Sequence, residues 1–264
     1  MKPLLRWLGW VALAMLALQL FFVARIAAMA VIDPQSTTFE RSEAWRLFNE
    51  KNTLRWHQQW VAYPQLSNQL KRAVIASEDD GFSSHNGVDW DALKKAWQKN
   101  TKAEAKAARS QPVKRPYANV SAGSGSVTSS AASKARAAAR APKVIGGSTI
   151  TQQLAKNLFL SGERTLLRKG QEFVLTMLLE TFLSKQRILE IYLNSVEWGE
   201  GVFGAEAAAQ RYFGKSAAQL SGYEAARLAV MLPRPKYFEQ RPNSGYLAER
   251  AAVIANRLSS AELP

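Results

Sequence analysis

The chain has no cysteine and only two histidines, His57 and His85. Without thiols it has neither a disulfide framework nor a thiolate metal site, and with two histidines a histidine-built zinc centre is not expected. An oxidising compartment would do such a chain no harm. Acidic residues are scarce: 21 Asp and Glu stand against 35 Lys and Arg, a net charge of +14. Its partners or surroundings are therefore expected to be anionic, although charge alone does not name the anion. No segment shows sustained period-two alternation with hairpin turns, which removes the usual signal for sheet. At 264 residues the chain has room for one sizeable domain and an anchor, but hardly for two catalytic domains.

One long apolar run is present. Trp7 to Ala24 is interrupted by a single strongly polar residue, Gln19, and the run resumes after Arg25 from Ile26 to Ile32. About 20 apolar residues cross a bilayer core, so residues 7–32 read as a transmembrane anchor, with Arg25 near one end where its stem can snorkel. Lys2 and Arg6 precede it, so the positive-inside rule puts residues 1–6 in the cytoplasm and everything after Ile32 outside. A cleaved signal peptide is the alternative, since Ala28-Met29-Ala30 has cleavage-site spacing. The run exceeds the ~7–15 residues of a usual signal core, which favours retention. In the juxtamembrane segment, residues 33–63, Trp45, Phe48, Trp56 and Trp60 are mixed with basic residues. These rings suit a headgroup region or a domain core, and both readings stay open.

The rest of the chain reads as all-α. Leu66, Leu70, Ala73 and Val74 recur at helical spacing, as do Ile150, Leu154 and Leu158, then Val174, Met177, Leu178 and Phe182, then Ile188, Leu189, Tyr192 and Leu193. Ser221-Gly222-Tyr223-Glu224 has the form of a capping box opening a helix that Pro233 stops. The predicted catalytic domain is residues 64–97 and 144–264. Between them, residues 98–143 are dominated by Ala, Ser, Lys, Arg, Gly and Pro, with ten basic residues against Glu104 alone, so they carry +9 of the +14. Such composition buries too little apolar surface to offset chain entropy, and a disordered insertion is expected, attractive to anionic lipid or wall polymer.

Two stretches carry chemistry. Glu78-Asp79-Asp80-Gly81-Phe82-Ser83-Ser84-His85-Asn86-Gly87 sets paired carboxylates on a glycine-punctuated turn. A carboxylate in a partly apolar pocket is a suitable base for a sugar hydroxyl, and Asp79 and Asp80 would raise its pKa further by repulsion. Read alone, such a turn is as well explained as solvated or capping. Gly146-Gly147-Ser148-Thr149-Ile150-Thr151-Gln152-Gln153-Leu154-Ala155-Lys156-Asn157 opens a helix on which Gln153, Lys156 and Asn157 share a face. Its glycines permit close approach of a substrate, and Ser148 is placed to cap the helix and face an anion. Further on, Arg168-Lys169-Gly170-Gln171-Glu172 presents two cations and a carboxylate to one side of a helix.

These stretches, in this order, resemble the motifs of the family 51 peptidoglycan glycosyltransferases, which polymerise glycan strands from the lipid-linked disaccharide lipid II. The first matches ED-x-x-F-x-x-H-x-G and the second G-x-S-T-x-x-Q-Q-x-x-K-N. The resemblance covers about residues 64–243 without the insertion. It implies a lysozyme-like helical domain behind the anchor, with Glu78 as general base and Glu172 as second active-site carboxylate. It further implies pyrophosphate binding by Lys156, Arg168 and Lys169, with Ser148, Gln153 and Asn157 lining the cleft. Asp79, Phe82 and His85 join the substrate-binding set, His85 as a hydrogen-bonding residue rather than a base or metal ligand.

Lys185 to Asn194, Gly201 to Gly204, Tyr212 to Lys215 and Ala229 to Pro235 resemble the later motifs and read as packing and capping, with Asn194 kept as a residue near the site. No Ser-x-x-Lys occurs, so a fused penicillin-binding transpeptidase is not expected and the match is closest to monofunctional biosynthetic members. The implied partners are lipid II, the growing strand, membrane lipids and other wall synthases, not nucleic acid. No cofactor is required by the residues, and a divalent cation such as Mg2+ is implied only by resemblance and pyrophosphate chemistry. The implied location is the inner membrane, single-pass, with the catalytic domain on the periplasmic face. Two rivals remain: a lysozyme-like hydrolase or lytic transglycosylase using one glutamic acid on finished wall, and a non-catalytic anchored scaffold holding wall polymer through residues 98–143.

Overall fold

A computed structural model describes residues 2–52, 55–109, 147–160 and 165–264. The chain divides into two compact units: residues 1–88 with 148–264, and residues 89–147. In the second, helix α4 (Trp90–Arg109) starts where the Asp89 carboxylate accepts the Ala92 N–H at 2.8 Å. The compositional boundary at residue 98 falls inside this helix, and the remainder of the basic segment, 110–143, lies outside the described residues.

In the first unit α1 (Lys2–Ala28) is the apolar run. At ~1.5 Å per residue it exceeds the ~30 Å hydrocarbon core. Leu4, Leu8, Leu13, Leu16 and Phe21 are exposed along it, as lipid-facing residues are. Its far end docks on the domain: Ile26 is fully buried and Phe22 meets Phe159 edge-on at 5.5 Å. Arg187 fixes the chain beyond, donating from Nε to the Met29 carbonyl at 2.7 Å and pairing with Asp33 at 2.7 Å.

A capping box of Thr37 and Glu40 opens α2 (Thr38–Lys51). On it Trp45 and Phe48 stay exposed, whereas Trp56 stacks on Phe203 at 4.5 Å and Trp60 packs against the core. The core is built by α3 (Asn68–Glu78), α5 (Ile150–Phe159), α6 (Leu166–Phe182), α7 (Lys185–Ser195), α8 (Ala205–Phe213), α9 (Gly222–Met231) and α11 (Gly245–Ala255), with the short α10 (Pro235–Glu239) before the last. Leu70, Val74, Ile150, Leu154, Leu158, Ile188, Leu189 and Tyr192 are all fully buried, as the helical spacing predicts, but α6 buries Leu175 and Leu179 and leaves Val174 and Phe182 of its expected stripe exposed. The box at Ser221 opens α9 as expected.

A small sheet is the departure from all-α. Strands β1 (His57–Gln58), β2 (Glu197–Gly199) and β3 (Val202–Phe203) run in the order β1-β3-β2, with β1 parallel and β2 antiparallel to β3. Strands of two or three residues are too short for alternation to register in sequence. Gly201, at φ +70°, makes the tight turn between β2 and β3 and lies against the Arg55 carbonyl, where a Cβ has no room.

Candidate active site

The first motif turns where α3 ends. Asp79 caps that helix with its own N–H on Ile75 O, and both of its carboxylate oxygens are occupied. Oδ1 faces His85 Nε2 at 2.8 Å, and Oδ2 accepts the Ile150 N–H at 2.9 Å. That second bond ties the first motif to the start of α5, where a carboxylate also meets the positive end of the helix dipole. Gly87 completes the join. Its carbonyl accepts the Thr149 hydroxyl at 2.6 Å. At φ +82°, a Cβ there would lie 2.7 Å from Thr176 Cγ2 on α6.

Glu78, the last residue of α3, is thereby turned toward α5. Its Oε2 accepts the Gln153 side-chain amide at 3.0 Å, and Ser77 Oγ approaches Oε1 at 3.5 Å. Burial pushes the Glu78 carboxyl above the usual carboxylate range; Gln153 and Ser77 oppose this, Asp79 adds to it, and Lys156 draws it down. Asp80 takes no part: it is exposed and paired with Arg257 at 2.9 Å. The expected repulsion therefore comes from Asp79 alone.

Across from Glu78 stand the cations. Lys156, half-buried on the same face of α5 as Gln153 and Asn157, is held below the usual lysine range by burial first. Glu172 and Glu78 oppose that shift, and Lys169 and Arg168 reinforce it. Glu172 on α6 is buried and acts as hub: one oxygen accepts from Lys169 Nζ, and the other lies 3.8 Å from Arg168 Nη1. Arg168 Nε is buried with no partner among the described residues. Three cations against one hub carboxylate leave a surplus of positive charge and an unused donor, an arrangement that suits a phosphate or pyrophosphate.

The structure thus brings together Glu78, Gln153, Lys156, Arg168, Lys169 and Glu172. It corrects the role of others. Phe82 is fully buried, with Lys185 Nζ 4.6 Å above its ring and His85 at its edge, so it has no surface for a substrate. Asp79 and His85 are bonded to each other, and both Asp79 oxygens are taken up within the protein, whereas His85 Nδ1 is buried with no partner among the described residues. Ser148 is not the cap of α5. Thr149 is, in a capping box with Gln152, because the Thr149 hydroxyl reaches the Gln152 N–H while Gln152 returns to the Thr149 N–H. Ser148 and Asn157 make no side-chain hydrogen bond among the described residues, and Gly146 lies outside them. Asn194 is fully buried and clamps the Val61 backbone through both ends of its amide, at 2.8 and 2.9 Å.

Sequence reasoning missed Tyr192, which it took for packing. Its hydroxyl donates to Gln153 Oε1 at 2.9 Å. The visible signal was a tyrosine at a core position, where a buried hydroxyl needs a partner. Also missed was Glu180, whose Oε1 receives Thr151 at 2.6 Å and Lys185 at 2.8 Å, locking α5, α6 and α7 together.

The family profile described as Transglycosylase matches residues 47–110 and 124–259, most of the chain. The chain belongs to the transglycosylase family. Its helical domain is the lysozyme-like one of that family. Residues 111–123, which the profile leaves unmatched, fall inside the basic segment. Among its relatives, a biosynthetic peptidoglycan transglycosylase of Burkholderia thailandensis is 49% identical over 263 residues, 98% of this chain and 88% of that one. Proteins of the same description from Paraburkholderia phytofirmans and Paraburkholderia xenovorans are each 47% identical over 98% of this chain and 94% of theirs.

Proposed function

We propose that the chain is a peptidoglycan glycosyltransferase that polymerises lipid II into β-1,4-linked glycan strands. The observation that carries this reading is the opposition of a burial-raised Glu78 to Lys156, Arg168 and Lys169 within one cluster. The growing strand is the donor, its lipid pyrophosphate held by the three cations. The incoming lipid II is the acceptor. Glu78 removes the proton of its 4-hydroxyl while that oxygen bonds to the donor's anomeric carbon from the face opposite the pyrophosphate. The carbon–oxygen bond to pyrophosphate breaks with inversion, and the electron pair leaves on the lipid pyrophosphate. The cations stabilise that developing charge. A hydrolase acting on finished wall would need no such cluster of cations beside its carboxylate.

Glu172 serves as counter-ion, holding Arg168 and Lys169 in register. Among the described residues no three His, Asp or Glu side chains converge on a metal-sized site, and Glu172 is already engaged by cations. No step above runs through a metal. We place α1 across the inner membrane with residues 1–6 cytoplasmic and the catalytic domain periplasmic, where it meets lipid II, membrane lipids and other wall synthases. Protease added to spheroplasts should then degrade the domain.

The test is polymerisation of lipid II by wild type and Glu78→Gln, with purified wall as a parallel substrate. General-base removal should cut polymerisation by ~10²–10⁴-fold with unchanged circular dichroism. Full activity in the variant, or turnover of finished wall alone, would sink the reading.

A further inference from the structure

Where α1 meets the domain there is a cavity of about 260 Å3, lined by Arg25, Met29, Ile32, Asp33 and Ser36 among others. It shares no residue with the Glu78 cluster. Met29 and Ile32 give it an apolar side. Arg25 lies over the Phe159 ring at 5.3 Å and forms no ion pair among the described residues. Arg41 braces the cavity from behind Ser36, donating to the Ser36 carbonyl at 3.2 Å, to Ser36 Oγ at 3.0 Å and to Thr38 Oγ1 at 3.1 Å. It too forms no ion pair among the described residues.

The acids nearby are already engaged. Asp33, which lines the cavity, is paired with Arg187 at 2.7 Å. Glu40, within reach of Arg41, is buried and accepts from the Thr37 N–H at 2.8 Å and from Gln58 at 3.0 Å. Two guanidinium groups without ion pairs among the described residues, Arg25 on the wall and Arg41 behind Ser36, therefore leave positive charge beside a partly apolar hollow at the end of α1. Guanidinium groups match phosphate oxygens in fork geometry, and membrane surfaces supply phosphates at this depth.

We infer that this cavity is a binding site for the phosphate of a membrane lipid, with Arg25 as the guanidinium on its wall, Arg41 behind Ser36 adding to the positive field, and Met29 and Ile32 against the adjoining apolar part. The volume lies below the ~300–1,000 Å3 of pockets for drug-sized ligands, which suits a headgroup and not a disaccharide. The site would seat the domain at a fixed height and rotation on the leaflet. It rests on the reading of α1 as an anchor and is independent of the chemistry at Glu78.

The test is native mass spectrometry of the full chain in detergent, titrated with phosphatidylglycerol or phosphatidylcholine, for wild type, Arg25→Gln with Arg41→Gln, and the double lysine variant. Wild type should retain phosphatidylglycerol at least ~10-fold more tightly than phosphatidylcholine, consistent with charged hydrogen bonds of ~1.5–3 kcal/mol. The double glutamine variant should lose that preference, and the lysine variant should keep part of it. Arg41 is exposed, so Arg41→Gln alone reports even if the double variant misfolds, with about a threefold loss expected. Farnesyl pyrophosphate is the second probe: displacement of phosphatidylglycerol at equal concentration assigns the cavity to a lipid pyrophosphate, and failure to displace assigns it to a phospholipid. Equal selectivity in wild type and the glutamine variants would overturn the site. In a separate flotation assay with phosphatidylglycerol and phosphatidylcholine vesicles, a wild-type chain that floats with neither would instead sink the anchor on which it rests.

Discussion

Tyr192 fixes which way the Gln153 amide faces. Its hydroxyl, fully buried and kept protonated by that burial and by the nearby Glu78 and Asp79, donates to the Gln153 oxygen at 2.9 Å. The Gln153 NH2 is left to donate to Glu78 at 3.0 Å. The proposed base is thus oriented by a residue two bonds removed, on a different helix.

Tyr192→Phe keeps the ring and frees the Gln153 amide to rotate. A hydrogen bond of ~0.5–1.5 kcal/mol implies a loss of roughly two- to tenfold in kcat. Gln153 favours the ionised form of Glu78, so its weakening should raise that pKa further and move the acid limb of the pH–rate profile to higher pH. A profile superimposable on wild type would show that the tyrosine only packs.

Arg168→Ala and Lys156→Ala remove charged donors on the leaving-group side. Each should lower kcat/KM for donor by ~10–100-fold, the value of a hydrogen bond to a charged group, while leaving acceptor affinity little changed. Glu172→Gln leaves three cations without their hub and should destabilise the fold by about 2 kcal/mol. That is less than the ~3–5 kcal/mol of a fully buried pair, because Lys169 is half in water. Donor kinetics unchanged in all three variants would remove the cluster from pyrophosphate binding.

Gly87→Ala should destabilise by ~2 kcal/mol or more, since it combines a left-handed backbone with a collision at Thr176. Because Gly87 joins the first motif to α5 and α6, activity should fall with stability. An unchanged thermal midpoint would show that the turn relaxes freely.

Glu197 lies far from this chemistry but sets a pH dependence. It is buried beside Glu43, with Lys236 3.2 Å away and also paired to Glu43. Burial lifts its carboxyl to about 7 from an ordinary 4.5. The folded chain therefore holds a proton there that the unfolded chain releases. Stability should fall as pH rises from about 4.5 through about 7, by on the order of 1–3 kcal/mol, and stay lower above that. Glu197→Gln should flatten this slope in urea melts at pH 5, 6, 7 and 8; parallel curves for the two proteins would contradict the assignment.

Helix content, the order of the motifs and the candidate base were legible because they depend on local periodicity and on residue identity. The box at Ser221 could be read directly, since its partners are three residues apart. The cap of α5 could not: Ser148 and Thr149 are equally good caps in isolation, and the Thr149 hydroxyl is drawn in by the Gly87 carbonyl, 62 residues away. The strands of two or three residues were invisible for the same reason, being held by pairing across the chain rather than by their own pattern.

The sequence by itself determined that this chain carries an apolar run long enough to span a bilayer, a helical domain, and carboxylates and cations in a recognisable order. Only the tertiary structure decided which of those side chains are free to act. Asp79 and Phe82 are absorbed into the scaffold, whereas Tyr192 is drawn toward the site. The reason is that a side chain's availability depends on what fills its hydrogen-bonding and packing surface, and those neighbours come from helices distant in the chain.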